Sequence, residues 1–337
     1  RRFVPRPAAT TLIAAAIASL ALAACGGSGS SGGSSGTTAI GSSATAKPGS
    51  PFAQATAQTL STRLTAPISG EALVAEGTSL LIIGGLDSGS VSSASVYRFD
   101  PGAASIVSDG ALAQPLHDMA AARAGGRTLV FGGGSAATTS EVQQLEPGAT
   151  ATSVGQLPLA LSDLSALSLG SRAFVVGGFD GTRASGLVLS TTDGRHLSRV
   201  ATLPVPVRYG ATIALKGKIY VFGGETSTGA DTDTIQQVDP AGGRAQIAGH
   251  LPHPLAHASA VVLAGRIYLL GGRESGAPSS RILGFDATSG RTRVVGRLPA
   301  PIMNAAAAVS GKAAYLIGGL GADASTPLAS IVRVSAG

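Results

Sequence analysis

Short apolar runs, each closed by a pair of glycines, recur along this chain. In Lys216-Gly217-Lys218-Ile219-Tyr220-Val221-Phe222-Gly223-Gly224, a tight Gly-basic turn leads into a β-strand of apolar residues, and the glycine pair ends it. The same phrase returns at Gly84-Gly85, Gly132-Gly133, Gly177-Gly178, Gly271-Gly272 and Gly318-Gly319. Successive pairs stand 48, 45, 46, 48 and 47 residues apart, a period that fits four short strands per unit. Each unit follows a Leu-x-x-Pro-like phrase: Leu64 to Pro67, Leu112 to Pro115, Leu203 to Pro206, Leu251 to Pro254 and Leu298 to Pro301, with Leu157-Pro158-Leu159-Ala160 as the variant.

Stacking the units predicts the strands. A first strand of small and apolar residues (Ala211 to Leu215, Ala258 to Leu263) is expected at a crowded central axis. The second, nearly continuous in apolar residues, must be covered on both faces. Third strands are predicted at Thr234 to Asp239 and Arg281 to Asp286, and a fourth at Arg291 to Leu298. The last unit stops at Ser330 to Val334, which aligns with a third strand. Ala57 to Leu64, ahead of the first unit, aligns with a fourth. The N-terminal strand is therefore expected to complete the last blade and remove an exposed edge. The fold class predicted is all-β, a six-bladed β-propeller.

The glycine pair, the large apolar residue before it, the Gly-basic turn and the Leu-Pro phrase together resemble kelch repeats, over Thr56 to Gly337. The chain departs from that family in having no tryptophan, and an arginine near the start of a first strand only at Arg208. The resemblance implies the propeller fold. It leaves function open among protein-binding modules, carbohydrate oxidases, sugar mutarotases and thiocyanate-forming factors.

The amino-terminal stretch has a different pattern. Arg1 and Arg2 precede an apolar run of 14 residues, Thr11 to Ala24, too short for an ordinary spanning helix. Leu22-Ala23-Ala24-Cys25 resembles the lipobox of bacterial lipoproteins, which implies cleavage before Cys25 and its lipidation. Arg1-Arg2-Phe3 also matches a remnant of a twin-arginine signal, so export by either route stays open. Residues 1–24 are read as a signal peptide, 25–50 as a lipid-anchored Gly/Ser-rich linker and 51–337 as the propeller. Localisation is expected at the cell membrane, lipid-anchored on the extracytoplasmic face, with the membrane a partner only through Cys25.

Charge adds little. The formal net charge is +6, and beyond Cys25 only 21 basic residues face 18 acidic ones, with no basic run, so nucleic acid is not an expected partner. Cys25 is the only cysteine, which excludes an intramolecular disulfide. It also argues against the oxidase chemistry that needs a cysteine cross-linked to tyrosine. His250, His253 and His257 lack acidic or cysteine neighbours in sequence, so no metal and no cofactor are predicted.

Topology places the starts of the first strands and the loops after Gly-Gly on one face, around the channel mouth. That face collects the ligand-binding candidates His117, Asp118, Asp163, Arg208, Tyr209, His257, Asn304, Glu225 and Arg273. Asp118, Asp163 and Asn304 also suit a plain turn role. The expected function is a cell-surface lipoprotein that binds a protein or glycan ligand at this mouth, with no catalytic residue assigned. The alternative is a carbohydrate-active enzyme of epimerase or mutarotase type, using pairs such as His117 with Asp118 or Arg208 with Glu225.

Overall fold

The computed structural model describes residues 52–337. The expected signal segment, Cys25 and the Gly/Ser linker lie outside the described residues. No helix occurs among the described residues. They form six four-stranded antiparallel sheets and one small three-stranded ribbon. The inner strands are Ala72–Glu76, Ala120–Ala124, Ser165–Leu169, Ala211–Leu215, Ser259–Leu263 and Ala306–Ser310. Each lies against the next, and the sixth lies against the first, so the sheets close a ring.

The closing sheet takes its outer strand from Ala55–Ile68, paired antiparallel with Leu328–Ala336 from Ala55 opposite Ala336 to Ile68 opposite Leu328. The expected N-terminal strand is therefore present, longer than the sequence pattern predicts. Pairing it inside a sheet satisfies an edge that would otherwise be free to recruit another chain.

The core is six seams between neighbouring sheets rather than one centre. Alternation along each second strand divides its side chains between two seams. Leu81 and Ile83 pack with Met119, Ala121 and Val130 of the next sheet. Leu80 and Ile82 pack the other way, with Tyr315, Ile317 and Ile331 of the sixth. That division explains the unbroken apolar run, because neither face of the second strand meets water. Phe99 and Tyr315 meet edge to face at 5.6 Å across the seam that closes the ring.

The two glycines of each pair have separate tasks, shown by Gly223 and Gly224. The Gly224 N–H donates to the Leu255 carbonyl at the lead-in to the next sheet, at 2.8 Å. That carbonyl sits so close that a Cβ on Gly223 would stand 1.9 Å from its oxygen. The same bond recurs in all six units, from Gly85, Gly133, Gly178, Gly272 and Gly319 to Leu116, Leu161, Val207, Ile302 and Ile68. The pair is thus a sheet-to-sheet joint, and both residues adopt positive φ to make it.

One expectation needs correcting. The axis is not crowded: the small residues of the inner strands line a channel of ≈ 600 Å³, walled by Leu73, Ala122, Ala166, Ile213, Val262 and Val309 among others.

The joint predicts a contrast. Gly223→Ala is expected to lose about 3 kcal/mol or more, because backbone must move. Gly217→Ala, with open space around the added Cβ, is expected to lose only about 1–2 kcal/mol of backbone strain. Chemical denaturation of the two variants measures the difference, and equal losses would refute the steric account of the joint.

Candidate functional site

Six residues, one at the start of each inner strand, share an unusual backbone state. Gly70, Asp118, Asp163, Tyr209, His257 and Asn304 all have φ between +51° and +63°. Each donates its N–H to the carbonyl of the equivalent residue in the sheet before it. The bonds run Asp118 to Gly70 (2.7 Å), Asp163 to Asp118 (2.8 Å), Tyr209 to Asp163 (2.9 Å), His257 to Tyr209 (3.0 Å), Asn304 to His257 (2.9 Å) and Gly70 to Asn304 (3.2 Å). The six bonds form a closed circle around the channel. Asp and Asn tolerate this left-handed conformation well; tyrosine and histidine enter it at a cost of roughly 1–2 kcal/mol each.

The five side chains of this circle converge and line a cavity of ≈ 120 Å³. The Tyr209 hydroxyl donates to Asp118 Oδ2 at 3.2 Å. Its ring stacks on His257 with centroids 3.9 Å apart. His257 Nδ1 lies 3.4 Å from Asn304 Oδ1, and Asn304 in turn bonds Asp118. Asp118 leans into space that only a glycine leaves: a Cβ on Gly70 would stand 2.6 Å from its Oδ1. The wall continues through the next residues of the inner strands, including Glu71, Met119 and Leu164. Further along the same strands begins the wider channel.

Arg208 and Glu225 are brought together by a backbone bridge, with Arg208 N–H to Glu225 O at 3.0 Å and Glu225 N–H to Arg208 O at 2.8 Å. Arg208 then spans two sheets, donating Nε–H to Glu225 Oε1 at 2.9 Å and Nη1–H to Asp163 Oδ2 at 3.1 Å. Its guanidinium lies over the Phe179 ring at 4.3 Å. Arg273, carried by the short ribbon of Leu255–Ala256, Arg273–Glu274 and Ala277–Pro278, donates to Glu225 Oε2 at 2.7 Å and through Nε–H to Asp231 Oδ2 at 2.9 Å. The result is a ladder of alternating charge, Asp163–Arg208–Glu225–Arg273–Asp231. It stands beside the cavity; none of Arg208, Glu225, Arg273 and His117 lines it. His117 bonds Ser92 through Nδ1 at 2.9 Å, and its Nε2 is 4.0 Å from Asp118 Oδ2.

Burial sorts the protonation states. Asp118 is pushed up to about 7, first by burial and then by the nearby Asp163 carboxylate. Burial also raises Asp163, against its bonds to Ser162, Tyr209 and Arg208. His257 falls to about 4, through burial and the charge of Arg273, so at neutral pH it is an uncharged imidazole. Burial likewise lowers His117. Glu225 is different: burial acts to raise it, but the bonds from Arg208 and Arg273 prevail and hold it low.

Two members of the site went unnoticed in the sequence. Asp231 lies in the loop after Gly223-Gly224 and shows itself only through Arg273. Glu71 had a visible signal: in the stacked repeat it occupies a position that is Met119, Leu164, Gly210, Ala258 or Ala305 elsewhere. It is 6% exposed and is pushed up to about 8, chiefly by burial. Its Oε1 accepts the Ala306 N–H at 3.0 Å, and Oε2 has no partner.

No family model and no curated protein matches the sequence. Among solved structures, that of YjhT is similar with a TM-score of 0.71, over 81% of this chain and 96% of that one, at 16% identity. The chain is a β-propeller. At such an identity the likeness carries the fold alone, and the propeller's site is read from its own residues.

The raised carboxyls make acid stability testable. Between their ordinary values and about 7 and 8, Asp118 and Glu71 bind more protons folded than unfolded. Stability they contribute below pH 4 is therefore lost as pH rises through those folded values, at roughly 1 kcal/mol per pH unit for each group. Urea unfolding from pH 6.5, above the range in which the lowered His257 and His117 raise stability with pH, up to about 8 should show this decline, and Glu71→Gln should flatten its upper part. A stability that climbs with pH over this range would contradict the assignment.

Proposed function

We propose that this chain is a lipid-anchored, extracytoplasmic propeller of kelch type that binds a carbohydrate-like ligand at its channel mouth. The observation that carries this reading is the convergence of Asp118, Asp163, Tyr209, His257 and Asn304 on one small cavity. Carboxylates and an amide held by the circle suit a ligand rich in hydroxyl groups, and Tyr209 and His257 line the same cavity. A protein ligand is less well served. Interface hot spots centre on buried aromatic and arginine anchors, whereas Arg208 and Arg273 are tied into the ladder. The exposed large apolar residues are scattered, Val107, Ile247 and Val294 on three different sheets and Val91 and Leu159 in loops.

A second reading, an acid–base enzyme of mutarotase or epimerase type, is favoured by one observation. Asp118, titrating at about 7, and the uncharged His257 line the same cavity. Such a couple presents a donor and an acceptor at neutral pH, the minimum that proton exchange on a sugar requires. The anchor is supported by Leu22-Ala23-Ala24-Cys25 after the apolar run Thr11 to Ala24.

Glycine already occupies the sixth place in the circle, so Asp163→Gly and Asn304→Gly should preserve the backbone while deleting the ligand contacts. Glycan-array binding is expected to fall at least ~10-fold for each, as for the loss of a buried hydrogen bond to ligand, with cooperative unfolding retained. Undiminished binding in both would move the site away from the mouth. For the anchor, Cys25→Ser is expected to shift the protein from the membrane fraction to the soluble fraction, read by fractionation and by loss of the acyl mass. Retention in the membrane would refute lipidation at Cys25.

A further inference from the structure

Three carboxyl groups, those of Glu71, Asp118 and Asp163, belong to residues lining the ≈ 120 Å³ cavity, and no lysine or arginine lines it. The cation nearest to them is Arg208, which reaches Asp163 and is otherwise engaged by Glu225. Glu71 and Asp118 have no such partner. The imidazole nearest Asp118, that of His117 at 4.0 Å, is shifted by burial toward its uncharged form. A second observation points the same way. Two of the buried side-chain atoms without a hydrogen-bond partner, Glu71 Oε2 and His257 Nε2, belong to lining residues. The His257 side chain is only 9% exposed. Its Nε2 stands 3.9 Å from Glu225 Oε2, toward the ladder, so the unpartnered oxygen of Glu71 is the atom that counts here.

We propose that this cavity selects a protonated amine, so that the carbohydrate ligand is an amino sugar rather than a neutral or acidic one. The proposal deepens the reading above and, for its sugar part, rests on it. A primary ammonium has three N–H donors and no acceptor. That is the complement of a wall that carries three carboxyl groups, one of them with an unpartnered buried oxygen. An ammonium suits the site better than a metal ion does: among the described residues no group of three His, Cys, Asp or Glu is placed to hold one.

Charge balance gives the proposal a distinct signature. Glu71 faces Asp118, and Asp118 faces Asp163, Tyr209 and Asn304, with Arg208 beyond; His257 faces Arg273, Glu225 and Asp231. Without a ligand cation, Asp118 and Glu71 hold their protons up to about 7 and 8. An arriving ammonium supplies the missing positive charge, so either group can ionise. Its proton leaves to solvent as the amine binds.

The test is titration calorimetry of the full chain in detergent at pH 6, in two buffers of different ionisation enthalpy. The probes are D-glucosamine, D-glucose and ethanolamine. Expected are binding of glucosamine at least ~10-fold tighter than glucose and net proton release in step with amine binding. Glu71→Gln and Asp118→Asn keep the side-chain shapes. Each should cut the preference for glucosamine several-fold and reduce the proton release. If Asp118→Asn fails to fold, Glu71→Gln carries the comparison alone. Equal binding of glucose and glucosamine overturns the amine selectivity and leaves the carbohydrate reading standing. Binding of ethanolamine with proton release, but of neither sugar, upholds the selectivity and overturns the carbohydrate reading. No binding of any probe overturns both.

Discussion

Six backbone hydrogen bonds, each from one sheet to the next and the last returning to the first, hold the mouth of this propeller. The circle demands left-handed backbone at six places, and that demand propagates in both directions. Toward the seams it fixes the distance between neighbouring sheets, which the Gly-Gly joints then secure a few residues away. Toward the axis it aims five side chains at one another. No single bond in the circle is worth more than about 1 kcal/mol, yet breaking one disturbs the geometry of all six. The cooperativity comes from closure.

That arrangement explains why the mouth tolerates so much polarity at so little exposure. A buried carboxylate is costly unless it is paired or protonated. The two sides of the mouth use the two remedies. Beside the cavity, acids and arginines alternate and stay charged. Within it, Asp118 and Glu71 are relieved by holding protons, and His257 by giving one up. The functional character of the site lies in that contrast, because groups held near their titration points can change state when a ligand arrives. The apolar channel beyond has no such groups.

The architecture was legible in the sequence because each of its parts is a local rule repeated. The apolar second strand, its glycine pair and the Leu-Pro lead-in recur at nearly constant spacing, and the match between Ala57 to Leu64 and a fourth strand foretold how the ring closes. The separation of Arg208 and Glu225 was not legible, since they flank successive joints, Gly178 with Val207 and Gly224 with Leu255. Other features depend on three dimensions. Nothing in Tyr209 or His257 as sequence announces a positive φ or their mutual stacking. The separation of Asp118, Asp163 and Asn304, which line the cavity, from Arg208, Glu225 and Arg273, which stand beside it, follows from the direction of each side chain. Glu71 was the instructive omission: an acid at a place that the repeat otherwise gives to apolar or small residues. The small residues of the inner strands misled in the other direction, since they border open space.

The sixth sheet is shared between the two ends of the folded part, with Ala55–Ile68 paired to Leu328–Ala336. On a static view this costs little, because loop-closure entropy rises only with the logarithm of length. During synthesis it sets a timetable. The apolar face of Leu80, Ile82 and Phe99 in the first sheet is covered by Tyr315, Ile317 and Ile331 of the sixth, which the chain reaches only after the sheets between. Every sheet between can be in place while that face still waits for its partner. The exposure to proteases and to aggregation therefore lasts until the sixth sheet has been made, and its length is governed by how fast one strand pair finds its register.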